Sequence, residues 1–161
     1  MSLIFSRQKN LSEKVEAIFF SAGVQAMILF RLSHFATRYK VLRGLRLPTI
    51  LYRLNQWICC VDMDPGANIG RNLSMPHPAG VVIGRTSEIG NDVTLMQNVT
   101  LGSRRTGETG KRHPKVEDGV FIGPNAVILG RVSIGRNARI GAGSIVLRDV
   151  DEDEMIIGIH K

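Results

Sequence analysis

Two histidines draw attention first because of where they fall. His77 lies in Met75-Pro-His77-Pro-Ala-Gly80 and His113 in Lys111-Arg-His113-Pro-Lys115. Imidazole titrates near neutrality, so it can take a proton from a hydroxyl and give it back within one catalytic cycle. A lone histidine is more often a surface or packing residue, and His34 and His160 are assigned no role on that ground. His77 and His113 differ because each interrupts a regular pattern. Asp62, upstream of His77, is by its own surroundings equally a helix-end or turn residue.

The pattern has a period of six. An aliphatic residue recurs at Val116, Ile122, Ile128, Ile134, Ile140 and Val146, often followed by Gly. A small or β-branched residue comes four places on, at Val120, Ala126, Val132, Ala138, Ser144 and Val150. Six is not a helical period, and a self-similar register held over several units fixes the fold before any other signal is read. Each unit reads as a short strand and a turn, with Gly or Asn permitting the bend. Three units make one coil of a triangular prism, and coils must stack because one alone cannot bury its apolar face. The prism is expected to begin near Val61. Two extra residues are accommodated around Met75-Pro-His77-Pro-Ala-Gly80, and nine leave the wall between Leu101 and Val116, carrying His113. Loops on a rigid scaffold are where function concentrates.

The 161 residues suffice for a proper core, and 43% apolar with 22% charged composition is that of a globular chain. The formal charge is +7, and all of the excess lies within residues 1–61. Adjacent Cys59 and Cys60 make a poor disulfide pair and read as small apolar helix residues of a reducing compartment. Residues 1–10 lack a secretory pattern, so a cytoplasmic protein is expected.

Residues 12–40 read as a helix, starting at Ser12 with Glu16 nearby and repeating at Val15, Ile18, Phe19, Ala22, Ala26, Leu29, Phe30 and Ser33. A second helix follows Pro48, with an apolar stripe of Ile50, Leu51, Leu54, Trp57 and Ile58. The expected role is a helical cap, packed on the prism and on neighbouring subunits. Attachment to an anionic membrane surface is the sharper alternative. Nucleic acid ranks last, because the basic residues lack a reading motif and aromatics are few.

Several segments together resemble the catalytic domain of serine O-acetyltransferases and the related acetyltransferases of exopolysaccharide synthesis. They are Val61-Asp62-Met-Asp-Pro65, His77-Pro-Ala-Gly80-Val-Val-Ile-Gly84, Asn91-Asp-Val-Thr-Leu95, Val99-Thr-Leu-Gly102, Lys111-Arg-His113-Pro-Lys115, Glu117-Asp-Gly119 and Ile140-Gly-Ala-Gly-Ser144. The resemblance implies an all-β, left-handed parallel β-helix of hexapeptide repeats over residues 61–161, preceded by an α-helical segment over 1–60. It implies acetyl transfer from acetyl-CoA to a hydroxyl, without a metal. His77 matches the family's general base, Asp62 the carboxylate behind it, and His113, with Arg112 beside it, the second active-site histidine that holds the acceptor or the oxyanion. The Gly102 turn is a candidate for backbone donors to that oxyanion. Gly102, Ser103, Pro124 and Ala142 match segments that touch the pantetheine arm, and Arg139, with Arg136, is a weaker match for the nucleotide phosphates. A homotrimer is implied, its groove shared by two subunits, with a dimer of trimers left open.

Three departures bear on the acceptor. The long helical domain of the serine enzymes is replaced by about sixty residues, Pro76 stands where they carry an acid before the catalytic histidine, and the tail ends early at Met155-Ile-Ile-Gly-Ile-His-Lys161. A sugar or polysaccharide hydroxyl is therefore the expected acceptor, with serine as the alternative. Two readings from other classes are a zinc-dependent γ-carbonic anhydrase, for which a third histidine is missing after His113, and a scaffold without activity.

Overall fold

The computed structural model describes residues 20–105, 107 and 109–161. The chain enters through helix α1 (Ala22–Ala36), whose N-cap Ser21 accepts a hydrogen bond from the Val24 N–H through its side chain. The expected start at Ser12 and the periodic positions Val15, Ile18 and Phe19 lie outside the described residues. The helix does not run on to residue 40. Tyr39 takes an extended conformation and separates α1 from the short α2 (Lys40–Gly44). Helix α3 (Leu47–Cys59) then starts with proline in its first turn and ends at Cys60, whose left-handed backbone turns the chain into the prism. Both cysteines are free.

The remaining chain folds into three parallel sheets, each one face of the prism. The first face holds β1 (Asp62–Met63), β3 (Val82–Ile83), β6 (Thr100–Gly102), β9 (Val127–Leu129), β12 (Ile145–Val146) and β14 (Ile159–His160). The second holds β2 (Asn68–Ile69), β4 (Glu88–Ile89), β7 (Lys115–Val116) and β10 (Ser133–Ile134). The third holds β5 (Thr94–Leu95), β8 (Phe121–Ile122), β11 (Arg139–Ile140) and β13 (Met155–Ile156), with Ser74 bridging to Thr94. Each strand pairs with the strand one coil away, for example Leu101 with Ile128 and Ile122 with Ile140.

The six-residue register is the reason for this arrangement. Met63, Ile69, Ile83, Ile89, Leu95, Leu101, Val116 and the five aliphatic residues that follow at steps of six are all buried, and so are the small residues at Val120, Ala126, Val132, Ala138, Ser144 and Val150. Both irregularities leave at corners. The two extra residues fall between Ser74 and Val82, on the edge where the third face turns into the first. The nine-residue excursion falls between Gly102 and Lys115, on the edge where the first face turns into the second.

The core runs on from the prism into the helices as one cluster that includes Ala26, Met27, Phe30 and Cys59. Helices α1 and α3 are tied by Ser33 Oγ donating to the Pro48 carbonyl (2.8 Å) and by Asn55 Nδ2 donating to the Ala26 carbonyl (3.0 Å). Arg31 donates to the carbonyls of Ile69 and Gly70, and His34 Nδ1 donates to the Pro65 carbonyl at 2.9 Å. Thus α1 is clamped to the first coil.

The apolar stripe of α3 divides between half-buried and outward positions, with Leu51 and Leu54 half-buried. Ile50, Trp57 and Ile58 are exposed, and the helix buries Pro48, Asn55 and Cys59 instead. Close packing against α1 selects the smaller side of the helix, leaving Ile50, Trp57 and Ile58 outward.

Ile128 sits fully buried in the middle of the prism wall. Truncation to alanine in such a site costs about 2–5 kcal/mol, so denaturant unfolding of Ile128→Ala should show a loss in that range.

Candidate active site

The turn carrying His77 is held from three sides. Met75 and Pro78 are buried while His77 itself is exposed. Val81 N–H donates to the Pro78 carbonyl (3.1 Å), Gly80 N–H to the Cys60 carbonyl (2.8 Å) and Asn98 N–H to the Ala79 carbonyl (3.0 Å). Gly80 has a φ of +73°, and a Cβ there would meet Asn98 Oδ1 at 2.0 Å. From above, Gly23 of α1 rests on the same turn, since a Cβ on it would lie 2.3 Å from the Met75 carbonyl oxygen. Helix α1 therefore positions the His77 turn.

Asp62 is held from the helical head. Its Oδ1 accepts from the Tyr52 hydroxyl of α3, and among the described residues His77 makes no hydrogen bond to it. Burial first, then this hydrogen bond, raises the Tyr52 phenol well above its ordinary value, so the hydroxyl remains a donor.

His113 is buried at the base of its loop, across the first–second edge. The Thr86 N–H donates to His113 Nδ1 (3.1 Å), with Thr86 Oγ1 2.8 Å from the same nitrogen. Thr86 Oγ1 in turn accepts from the backbone N–H groups of Arg112 (3.0 Å) and His113 (3.2 Å). A backbone N–H can only donate, so Nδ1 is the acceptor and the neutral ring carries its proton on Nε2. His113 is thereby fixed as a hydrogen-bond donor through Nε2. Its ring lies flat over Gly84, where a Cβ would stand 2.1 Å from Cδ2 and 2.2 Å from Nε2. Lys111 closes the base of the loop, donating to the Thr86 carbonyl (2.8 Å) and pairing with Glu88 at 2.7 Å.

The expected site residues sort onto the two edges of the first face. His77, Pro124 and Ala142 lie on the third–first edge, with Arg139 leading into it from the third face. Gly102, Ser103, Arg112 and His113 lie on the first–second edge. One chain does not bring the two histidines together. Arg136 follows β10, on the edge between the second and third faces, beside Asp118. Arg139 places its guanidinium over the Phe121 ring, 5.3 Å from the centroid.

A different set of cations was not anticipated. Arg104, Lys111, Arg131 and Arg148 line an open groove of about 550 Å³ on the first–second edge, below His113. They come from three successive turns, Arg104 and Lys111 sharing one, so no short spacing in the chain announces them. Thr86 gave no signal either, lying twenty-seven residues before the ring it orients. Gly84 was visible only as one more repeat glycine. The described residues contain no group of three His, Cys, Asp or Glu side chains placed to hold a metal ion.

The bacterial transferase hexapeptide family (six repeats) matches residues 113–148. A serine acetyltransferase of Bacillus licheniformis is 39% identical over 160 residues, covering 99% of this chain and 72% of that protein. One of Helicobacter pylori is 36% identical over 168 residues, covering 98% of this chain and 94% of its own. The chain belongs to the serine acetyltransferase family.

Solved structures of the family agree. Neisseria gonorrhoeae serine acetyltransferase in complex with serine superposes with a TM-score of 0.83 at 36% identity, over 96% of this chain and 62% of that one. Soybean serine acetyltransferase complexed with serine gives 0.84 at 36%, over 95% and 62%. The chain thus spans about three-fifths of those structures. The preference for a sugar acceptor is revised by these relatives, each named for serine. Pro76 and the short helical head weighed against serine, yet the family likeness extends through the head and not through the prism alone.

Because Gly84 is outside the left-handed region, a methyl group there strains no backbone and acts only by displacing the His113 ring. Gly84→Ala should lower CoA-releasing turnover by roughly a hundredfold, the scale of losing one preorganised donor, and displacing that buried ring should cost about 1–3 kcal/mol in denaturant unfolding.

Proposed function

We propose that the protein is an acetyl-CoA-dependent O-acetyltransferase whose acceptor is serine. The observation that carries the reading is the division of labour between the histidines. His113 has its Nδ1 occupied by Thr86 and can offer only a donor, whereas His77 is exposed on a rigid turn and remains available as a base. A catalytic pair needs such unlike roles. In this scheme His77 takes the proton from the serine hydroxyl as its oxygen attacks the thioester carbon. His113 Nε2–H, with backbone donors at the Gly102 turn, meets the oxyanion. Collapse of the intermediate expels CoA as thiolate, which recovers the proton from His77.

The placement of residues on two edges supports a shared site, with His77, Pro124 and Ala142 of one copy facing Gly102, Ser103 and His113 of the next around a homotrimer. The wind of the coil is then left-handed, as in the hexapeptide-repeat relatives, with residues 61–161 as the catalytic prism and 1–60 as its helical head. Acetyl-CoA would lie between the edges, its phosphates toward Arg104, Arg131 and Arg148, whose fixed positive charge suits them. Asp62, held by Tyr52, lies in β1 at the start of the first face, and its carboxylate would support the His77 imidazolium once the neighbouring copy and substrate are in place. One feature favours a second acceptor class. Pro76 offers neither charge nor donor to an amino acid's ammonium group, which a glycan hydroxyl would not require.

His77→Ala should reduce turnover by roughly a hundred- to ten-thousandfold while leaving CoA affinity near that of the parent; equal loss of both would make His77 structural. CoA release with L-serine, set beside a panel of nucleotide sugars and glycans, should be fastest with serine. Faster turnover of a glycan would move the assignment to the second class.

A further inference from the structure

The helical head presents an apolar surface that the prism does not use. On α3, Trp57 is 82% and Ile58 60% exposed, and on and beside α2, Val41 is 74% and Leu45 66% exposed. Phe35 and Tyr39, whose rings lie 4.9 Å apart, add exposed aromatic surface at the end of α1. Interleaved with these residues are Arg38, Lys40, Arg43, Arg46 and Arg53, all exposed. From residue 17 to residue 61 there is not one aspartate or glutamate. Among the described residues no helix is long and apolar enough to cross a membrane.

We propose that this face docks the enzyme on an anionic phospholipid surface, with the aromatic and aliphatic side chains at the headgroup level and the cations against the lipid phosphates. Charge selects this occupant. A second copy presenting the same face would bring five cations against five, with no carboxylate between residues 17 and 61 to pair them. The acidic run Asp151, Glu152, Asp153 and Glu154 lies at the far end of the prism, so a copy docked through it would stack head to tail without closing. An anionic bilayer meets both halves of the surface at once. Aromatic residues with cations at their flanks are the composition of a segment lying in the membrane interface, and each cation near such a surface raises partitioning about fivefold. The turn of α3 that leaves Ile50, Trp57 and Ile58 outward has this apolar face as its result.

Trp57 is the only tryptophan of the chain, so its emission reports on this face directly. With full-length protein, phosphatidylcholine vesicles containing about one-quarter phosphatidylglycerol should shift the emission to the blue and carry the protein down on sedimentation. Pure phosphatidylcholine should do neither, and raised salt should reverse the effect. Arg43→Glu combined with Arg46→Glu should weaken sedimentation with the anionic vesicles about tenfold or more, and its unchanged melting curve without lipid would show that the fold is intact. The proposal is overturned if anionic vesicles leave the emission unmoved, if neutral vesicles bind equally well, or if Trp57 is already blue-shifted without lipid and reddens on dilution. The last result would assign the face to a second copy. None of these readouts depends on the acetyl acceptor.

Discussion

Everything in this molecule depends on one steric rule: at every sixth position an aliphatic side chain must sit on its counterpart one coil away. Parallel backbone hydrogen bonds hold the coils together, but they are indifferent to sequence. The stack of Ile83, Leu101 and Ile128, and of Leu95, Ile122 and Ile140, decides which residue faces in. A wall segment gaining one residue would turn its apolar positions outward. Extra residues are therefore confined to corners, and the two corners that accept them are the ones that carry His77 and His113.

The prism supplies rigidity, and small contacts then convert it into chemistry. Thr86 chooses the tautomer of His113 with a backbone N–H, and Gly84 leaves the space in which the ring lies. Gly23 performs the corresponding service for the other histidine by letting α1 approach the Met75 turn. The helical head is thus part of the site's framework as well as a separate surface. Its cations and its outward apolar stripe lie apart from the two edges that carry His77 and His113.

The extent to which this was legible differs by element. The strands and the coil register followed from the six-residue period, because burial enforces it locally. The helices were legible, but the break at Tyr39 that ends the first of them was not. In α3 the buried positions are Pro48, Asn55 and Cys59, while Ile50, Trp57 and Ile58 of the apolar stripe stay exposed. A hydrophobic stripe reveals that a helix has two unlike faces without saying which partner is present to cover the apolar one.

The amino-acid order alone determined the period, hence the prism, and with it the identity of the two histidines as the residues set apart. Only the folded chain decided that they stand on opposite edges of one face, that Tyr52 holds Asp62, and that Arg104, Arg131 and Arg148 converge below His113. The physical reason is the length of a coil. Residues eighteen or more apart become neighbours only when the prism closes, so contacts between coils are invisible to any local pattern, while the inward step of six is written into each turn.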